Sequence, residues 1–170
     1  MKRIWLFLLL LAWGPALHAE VVRLTVTKQQ KKNYRTTSTS AYGSRQQSGT
    51  ETYTYTIEVA NRSAAALNSL RIKWAVVVRQ YSQEQLVAGE RTGSVALGQK
   101  LTLETDPIEL SVSRYDSAYG YSSRTGAEVV GYSVRVYDGE KLIAEENVPG
   151  GLGVKVDQLR AAEEKKPRRF

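Results

Sequence analysis

The sequence predicts an all-β protein, a two-layer antiparallel sandwich or barrel of seven or so short strands. Three observations carry that prediction. Apolar and polar residues alternate in segment after segment, and turn residues part those segments at near-regular intervals. No sustained helical period occurs between the two ends of the chain.

Taken in order, Val22, Leu24 and Val26 alternate with Arg23, Thr25 and Thr27 as a first strand. Tyr53, Tyr55, Ile57 and Val59 alternate with Thr54, Thr56 and Glu58 as a second, closed by a turn at Asn61-Arg62-Ser63. Leu70, Ile72, Trp74, Val76 and Val78 share one face of a third strand, opposed by Arg71, Lys73 and Arg79. Ala75 and Val77 make the middle of that strand apolar on both sides, as a central strand requires, and Trp74 becomes the expected core aromatic. Ala88-Gly89-Glu90 reads as a turn. Leu101 and Leu103, then Ile108, Leu110 and Val112, give two shorter runs parted by Asp106-Pro107. Val130, Tyr132, Val134 and Val136 form another long strand, and Lys141 to Ala144 begin its return. Asp138-Gly139 between them is a strong hairpin signal, because such a pair accepts the positive φ that a tight antiparallel turn needs.

The chain ends bound the compartment. Of 170 residues, the first nineteen read as a signal peptide: basic Lys2 and Arg3, the apolar run Ile4 to Ala12, the break at Trp13-Gly14-Pro15, then small residues up to Ala19. The apolar stretch falls short of the ~20 residues of a membrane-spanning helix. Cleavage is expected after Ala19, with Leu17 at the third position back a less usual choice. Removing Lys2 and Arg3 lowers the formal charge from +7 to +5. Residues 20–155 are then the folded domain. Residues 156–170 are a charged tail, read as a short helix over Val156 to Lys166 or as a disordered arm, with Phe170 as a candidate docking anchor. No second apolar segment follows, so no transmembrane segment is expected after cleavage.

Cysteine is absent, and the single histidine, His18, lies in the expected signal peptide. Residues 20–170 therefore contain no Ser-His-Asp triad, no Cys-His pair and no zinc site built on His or Cys. Stability must come from the core rather than from disulfides. No calcium-loop pattern, S-x-x-K spacing or phosphate-loop glycine pattern occurs. A glycosidase would have to pair two of Glu51, Glu58, Asp106, Glu109, Asp116 and Glu128 at about 5–9.5 Å, and most of these read as residues on solvent faces of strands. No enzyme, cofactor or metal is expected.

The stretches "YTIEVANRSAAALNSLRIKWAVVV" and "GYSVRVYDGEKLIAEENVP" carry a resemblance. They resemble adjacent strands and the closing hairpin of secreted bacterial immunoglobulin-like β-sandwich proteins, some of them envelope or type IV pilus-associated. The resemblance spans about Val21 to Pro149. It implies an immunoglobulin-like two-sheet sandwich of seven to eight strands in an exported protein, periplasmic or extracellular. The disulfide of antibody domains is missing.

Two segments look alike: "SAYGSRQQSG" at 40–49 and "SAYGYSSRTG" at 117–126. Tyrosine offers a rigid contact surface and serine and glycine adapt around it, the mixture found in antibody binding loops. Tyr42, Arg45, Tyr115, Tyr119, Tyr121 and Arg124 are therefore the candidate binding residues. The competing reading makes the two segments strand extensions or hairpin tips whose composition reflects exposure alone. Residues 28–45 hold Lys28, Lys31, Lys32, Arg35 and Arg45 with no acidic residue, and read as a solvated basic loop, the alternative being a contact with an acidic glycan, a lipopolysaccharide surface or nucleic acid. Asn61-Arg62-Ser63 also matches a glycosylation sequon, expected to be silent. The expected role is a non-enzymatic interaction or structural module of a bacterial cell envelope, with a place in a surface or pilus-like assembly as one option, and with an envelope or surface protein, or else a glycan, as partner. The alternative is a carbohydrate-binding domain that uses the tyrosine segments. Export argues against nucleic acid.

Overall fold

A computed structural model describes residues 21–40 and 42–165. The expected signal peptide and Phe170 lie outside the described residues. Nine strands and one helix follow in order: β1 (Val22–Thr39), β2 (Arg45–Asn61), β3 (Leu67–Gln80), β4 (Gln83–Val95), β5 (Lys100–Glu104), β6 (Ile108–Asp116), β7 (Ser122–Gly126), β8 (Glu128–Asp138), β9 (Lys141–Val148) and α1 (Leu152–Glu164).

The strands form two antiparallel sheets. One has the order β1-β2-β6-β7, with β5 also paired to β2, and the other is β4-β3-β8-β9. Strand β2 holds two partners on one flank: Tyr53 back to Arg45 pairs with β6, and Thr56 to Ala60 pairs with β5. The Asp106-Pro107 break between the two runs falls where the chain passes from one partner segment to the next, and proline is excluded from a ladder's interior.

The alternation in the sequence becomes the core. Val22, Ile57, Val59, Leu70, Ile72, Trp74, Val134 and Val136 pack as one buried cluster, and Tyr53, Tyr55, Val76, Val78, Ile108, Leu110 and Val112 as a second. β3 is indeed interior to its sheet, between β4 and β8. Its second apolar face, Ala75 and Val77, is covered by Leu152 and Val156 of α1. The helix starts at Leu152, with Gly151 in the left-handed region ahead of it at φ 82°. The charged end of the chain thus enters the described structure as a helix whose apolar side is buried.

Three expectations change. Ala88-Gly89-Glu90 is no turn but the middle of β4, where a Cβ on Gly89 would strike the Trp74 ring; the glycine gives the indole its room. The basic segment after Thr27 is not a loop. β1 runs on to Thr39, paired with β2 back to Arg45, and from Thr27 onward all of its residues but Tyr34 are exposed, which is why this half can be polar. The tyrosine-bearing segments contribute the start of β2 and the whole of β7 as well as turns, and β7 together with β4 brings the described residues to nine strands rather than seven to eight. The hairpin at Asp138-Gly139 forms, with Gly139 and Glu140 as its loop and Gly139 at φ 57°. Asn61 is buried, and its amide donates to the carbonyls of Ala65 and Val95 at 2.8 and 3.2 Å, which occupies the sequon side chain in the fold.

Candidate functional site

The two look-alike segments fold into the same turn. Gly43 N donates to Ser40 O at 3.0 Å and Ser40 N to Ser44 O at 2.8 Å; Gly120 N donates to Ser117 O at 3.1 Å and Ser117 N to Tyr121 O at 2.7 Å. Gly43 and Gly120 take φ of 83° and 81°, which β-carbon-bearing residues avoid. The repeated serine and glycine are thus turn chemistry: the glycine supplies the left-handed position and the serine closes the loop. Tyrosine between them has no such duty. Tyr42 and Tyr119 are 84% and 93% exposed.

Register brings the two tips together. Arg45 of β2 stands opposite Asp116 of β6, and beyond that pair Ala118 N donates to Ser44 Oγ at 3.3 Å. Tyr42, Arg45, Tyr119 and Tyr121 therefore share one end of the first sheet, all exposed, and Tyr115 stands beside them on the sheet's outer face. Arg45 and Arg114 both help hold the Asp116 carboxyl below its ordinary range, behind the donor hydroxyl of Ser122 at 2.7 Å.

Arg124 goes elsewhere. It reaches from β7 across the inner face of the sheet to Glu51 of β2, with Nη2 at 2.9 Å from Oε2, and also donates to Ala127 O at 2.8 Å. Glu51 is 2% exposed. Tyr53 donates to Oε2 at 2.7 Å, Gln30 donates at 3.1 Å, and Tyr34 donates to Oε1. Burial would raise the Glu51 carboxyl, but donors from Arg124, Tyr34 and Tyr53 outweigh it and hold it down at about 2. Burial and the same ionised carboxylate push the Tyr53 and Tyr34 hydroxyls upward. A cleft of about 220 Å³ opens over the cluster, lined by Gln30, Lys32, Tyr34, Arg114, Ser122 and Arg124, with Glu51 at its base.

Glu51 is one of six carboxylates of which most are read from the sequence as solvent-facing, and it is an exception. It sits in phase with Tyr53, Tyr55, Ile57 and Val59, all on the core side of β2. That phase is visible in the sequence; its partners are not, since Tyr34 and Arg124 lie 17 and 73 residues away. Chemically the cluster is a clamp. With donors on both oxygens, Glu51 has little capacity left to act as a base, and it is the only carboxylate among the described residues lining the cleft. Among the described residues, no three His, Cys, Asp or Glu side chains gather as metal ligands.

The fold and these features define an all-β protein of two facing antiparallel sheets, with paired hairpin tips at one end. No protein-family model matches the chain, and no curated protein matches it. Solved structures with some likeness include a Northeast Structural Genomics Consortium target (10% identical, TM-score 0.35, covering 65% of this chain and 85% of that one). A protein from Akkermansia muciniphila is 14% identical, with TM-score 0.32 and coverage of 77% and 74%. A Bordetella pertussis protein solved under the name ApaA is 12% identical, with TM-score 0.31 and coverage of 65% and 93%. Likeness at these scores carries no argument about function.

Proposed function

We propose that the chain is an exported, non-enzymatic interaction or structural module of a bacterial cell envelope, an immunoglobulin-like sandwich that meets an envelope or surface protein through its paired hairpin tips. The observation that carries this reading is the tips themselves. Two turns of one design, from distant parts of the chain, are hydrogen-bonded side by side and hold Tyr42, Tyr119 and Tyr121 in solvent. Exposed tyrosines on a rigid support are efficient protein anchors, since little side-chain entropy is lost when they are covered. The order β4-β3-β8-β9 facing β1-β2-β6 supports the immunoglobulin-like reading, because it sets the third strand beside the last hairpin and the first two strands in the opposite sheet. Among the described residues no helix is long and apolar enough to cross a membrane.

The test is a photoreactive residue at position 42 or 119, compared with position 97, which is exposed at the opposite end of the sandwich. In the native envelope, positions 42 and 119 should give one adduct of defined mass, lost with Tyr121→Ala, and position 97 none. Equal adducts from position 97, or none from the tips, would reject the tip surface.

A further inference from the structure

The first sheet has a second surface, its outer face, turned away from the other sheet. Along β1, Gln29, Lys31, Asn33 and Arg35 point to it, so amide and cation alternate. Opposite them on β2 stand Thr54, Thr52, Thr50 and Ser48. The next strand continues the face with Glu109, Ser111 and Ser113 opposite Thr52, Thr50 and Ser48, so one carboxylate stands on it beside the two cations. None of these residues is buried. Helix α1 lies on the other sheet.

Charge gathers in this part of the molecule. Residues 28–53 and 108–126 hold seven basic side chains against three acidic ones. Two of those acids, Glu51 and Asp116, are already paired with Arg124 and Arg114. Among the described residues, neither Lys31 nor Arg35 is ion-paired.

Spacing decides which polyanion fits. Residues four apart on a strand are separated by about 13 Å, so Lys31 and Arg35 are sparse cations with neutral hydrogen-bonding groups between and beside them. A nucleic acid strand carries a phosphate about every 3.4 Å and is held by rows of aromatic side chains, whereas this face offers Tyr115 alone. A protein interface would require buried apolar anchors, and the face has none beyond that tyrosine. Hydroxyl and amide side chains, donors and acceptors at once, match sugar hydroxyls.

We propose that the outer face of β1 and β2 binds an acidic polysaccharide in which charged sugars are separated by neutral ones. This goes beyond the tip reading: it uses another surface and another class of partner, with Lys31 and Arg35 taking the carboxylates and Thr50, Thr52 and Asn33 the neutral sugars.

The test is retention of the purified protein on hyaluronan, which alternates charged and neutral sugars, beside polygalacturonate, neutral dextran, single-stranded DNA and phosphatidylglycerol vesicles. Hyaluronan should bind best at low salt and lose at least about tenfold in affinity by ~0.3 M salt. The double variant Lys31→Gln/Arg35→Gln should lose about tenfold at unchanged Tm, through loss of charge attraction. Lys28→Gln/Lys32→Gln, on the inner face, should stay within about twofold. Thr50→Ala/Thr52→Ala should weaken binding without altering its salt dependence. No retention by hyaluronan, undiminished binding of the Lys31→Gln/Arg35→Gln variant, or tighter binding to polygalacturonate, DNA or vesicles would each overturn the proposal. Tyr119→Ala separates the two readings: it should abolish the tip adduct and leave hyaluronan retention intact.

Discussion

Glu51 concentrates the residue-scale chemistry of this protein. A carboxylate on the core side of a strand is costly unless its charge is met, and here a guanidinium and three polar side chains meet it. Its folded value of about 2 lies below its ordinary 4.5, so the ionised form is the one that folding favours. The stability it contributes is fully present above pH 4.5 and is lost as pH falls towards 2. A shift of this size corresponds to at most about 3 kcal/mol. Thermal melts between neutral pH and pH 2.5 should show that loss in the native chain, and Glu51→Gln should remove this component of the pH dependence. At neutral pH the same variant should cost about 2 kcal/mol, because Arg124 loses its partner. An unchanged melting profile would mean that the clamp contributes nothing to stability.

The helix and the two hairpins are the elements whose roles can be separated. Helix α1 stays on the sheet through Leu152 and Val156, both buried against Ala75 and Val77. Val156→Asp should cost about 3 kcal/mol or more, read as a lower urea midpoint, because an unpaired carboxylate would replace an apolar contact. If the midpoint holds, the helix is not docked in solution. In the tips, Gly43→Ala and Gly120→Ala should each cost about 1 kcal/mol, the price of a left-handed residue with a β-carbon. Tyr42→Ala and Tyr119→Ala should leave the melting temperature within about two degrees, since exposed side chains away from special features contribute within about 0.5 kcal/mol. A large loss from either tyrosine change would show that the ring packs on the protein rather than standing free for a partner.

At the scale of the whole molecule, the expected processing makes a further prediction. The protein isolated from its native compartment should begin at Glu20, and its intact mass should lack Trp5 and Trp13, leaving Trp74 as its sole tryptophan. An N-terminus at Met1 would mean that the apolar segment is retained. Trp74 is 6% exposed with the Arg91 guanidinium 5.9 Å from its ring, so unfolding should be followed cleanly by its fluorescence.

What the sequence by itself determined is whatever rests on short range. A period of two places Tyr53, Tyr55, Ile57 and Val59 on one face, and a strand apolar on both faces must be covered twice, as β3 is by the opposite sheet and by α1. Asp138-Gly139 marks its hairpin by local turn chemistry, and Gly139 takes the positive φ expected there, whereas the left-handed glycines at Gly43 and Gly120 emerge only in the structure. Local rules misread Gly89, because what it accommodates is the Trp74 ring from the neighbouring strand. They could not extend β1 past Thr27, since its polar half is held as a strand by cross-strand hydrogen bonds to β2 rather than by burial of its own residues. Only the tertiary structure sent Arg124 to Glu51 and set the two tyrosine tips side by side. Those contacts join residues 73 and 74 positions apart, and which distant strands become neighbours is decided by how the whole chain buries its apolar faces.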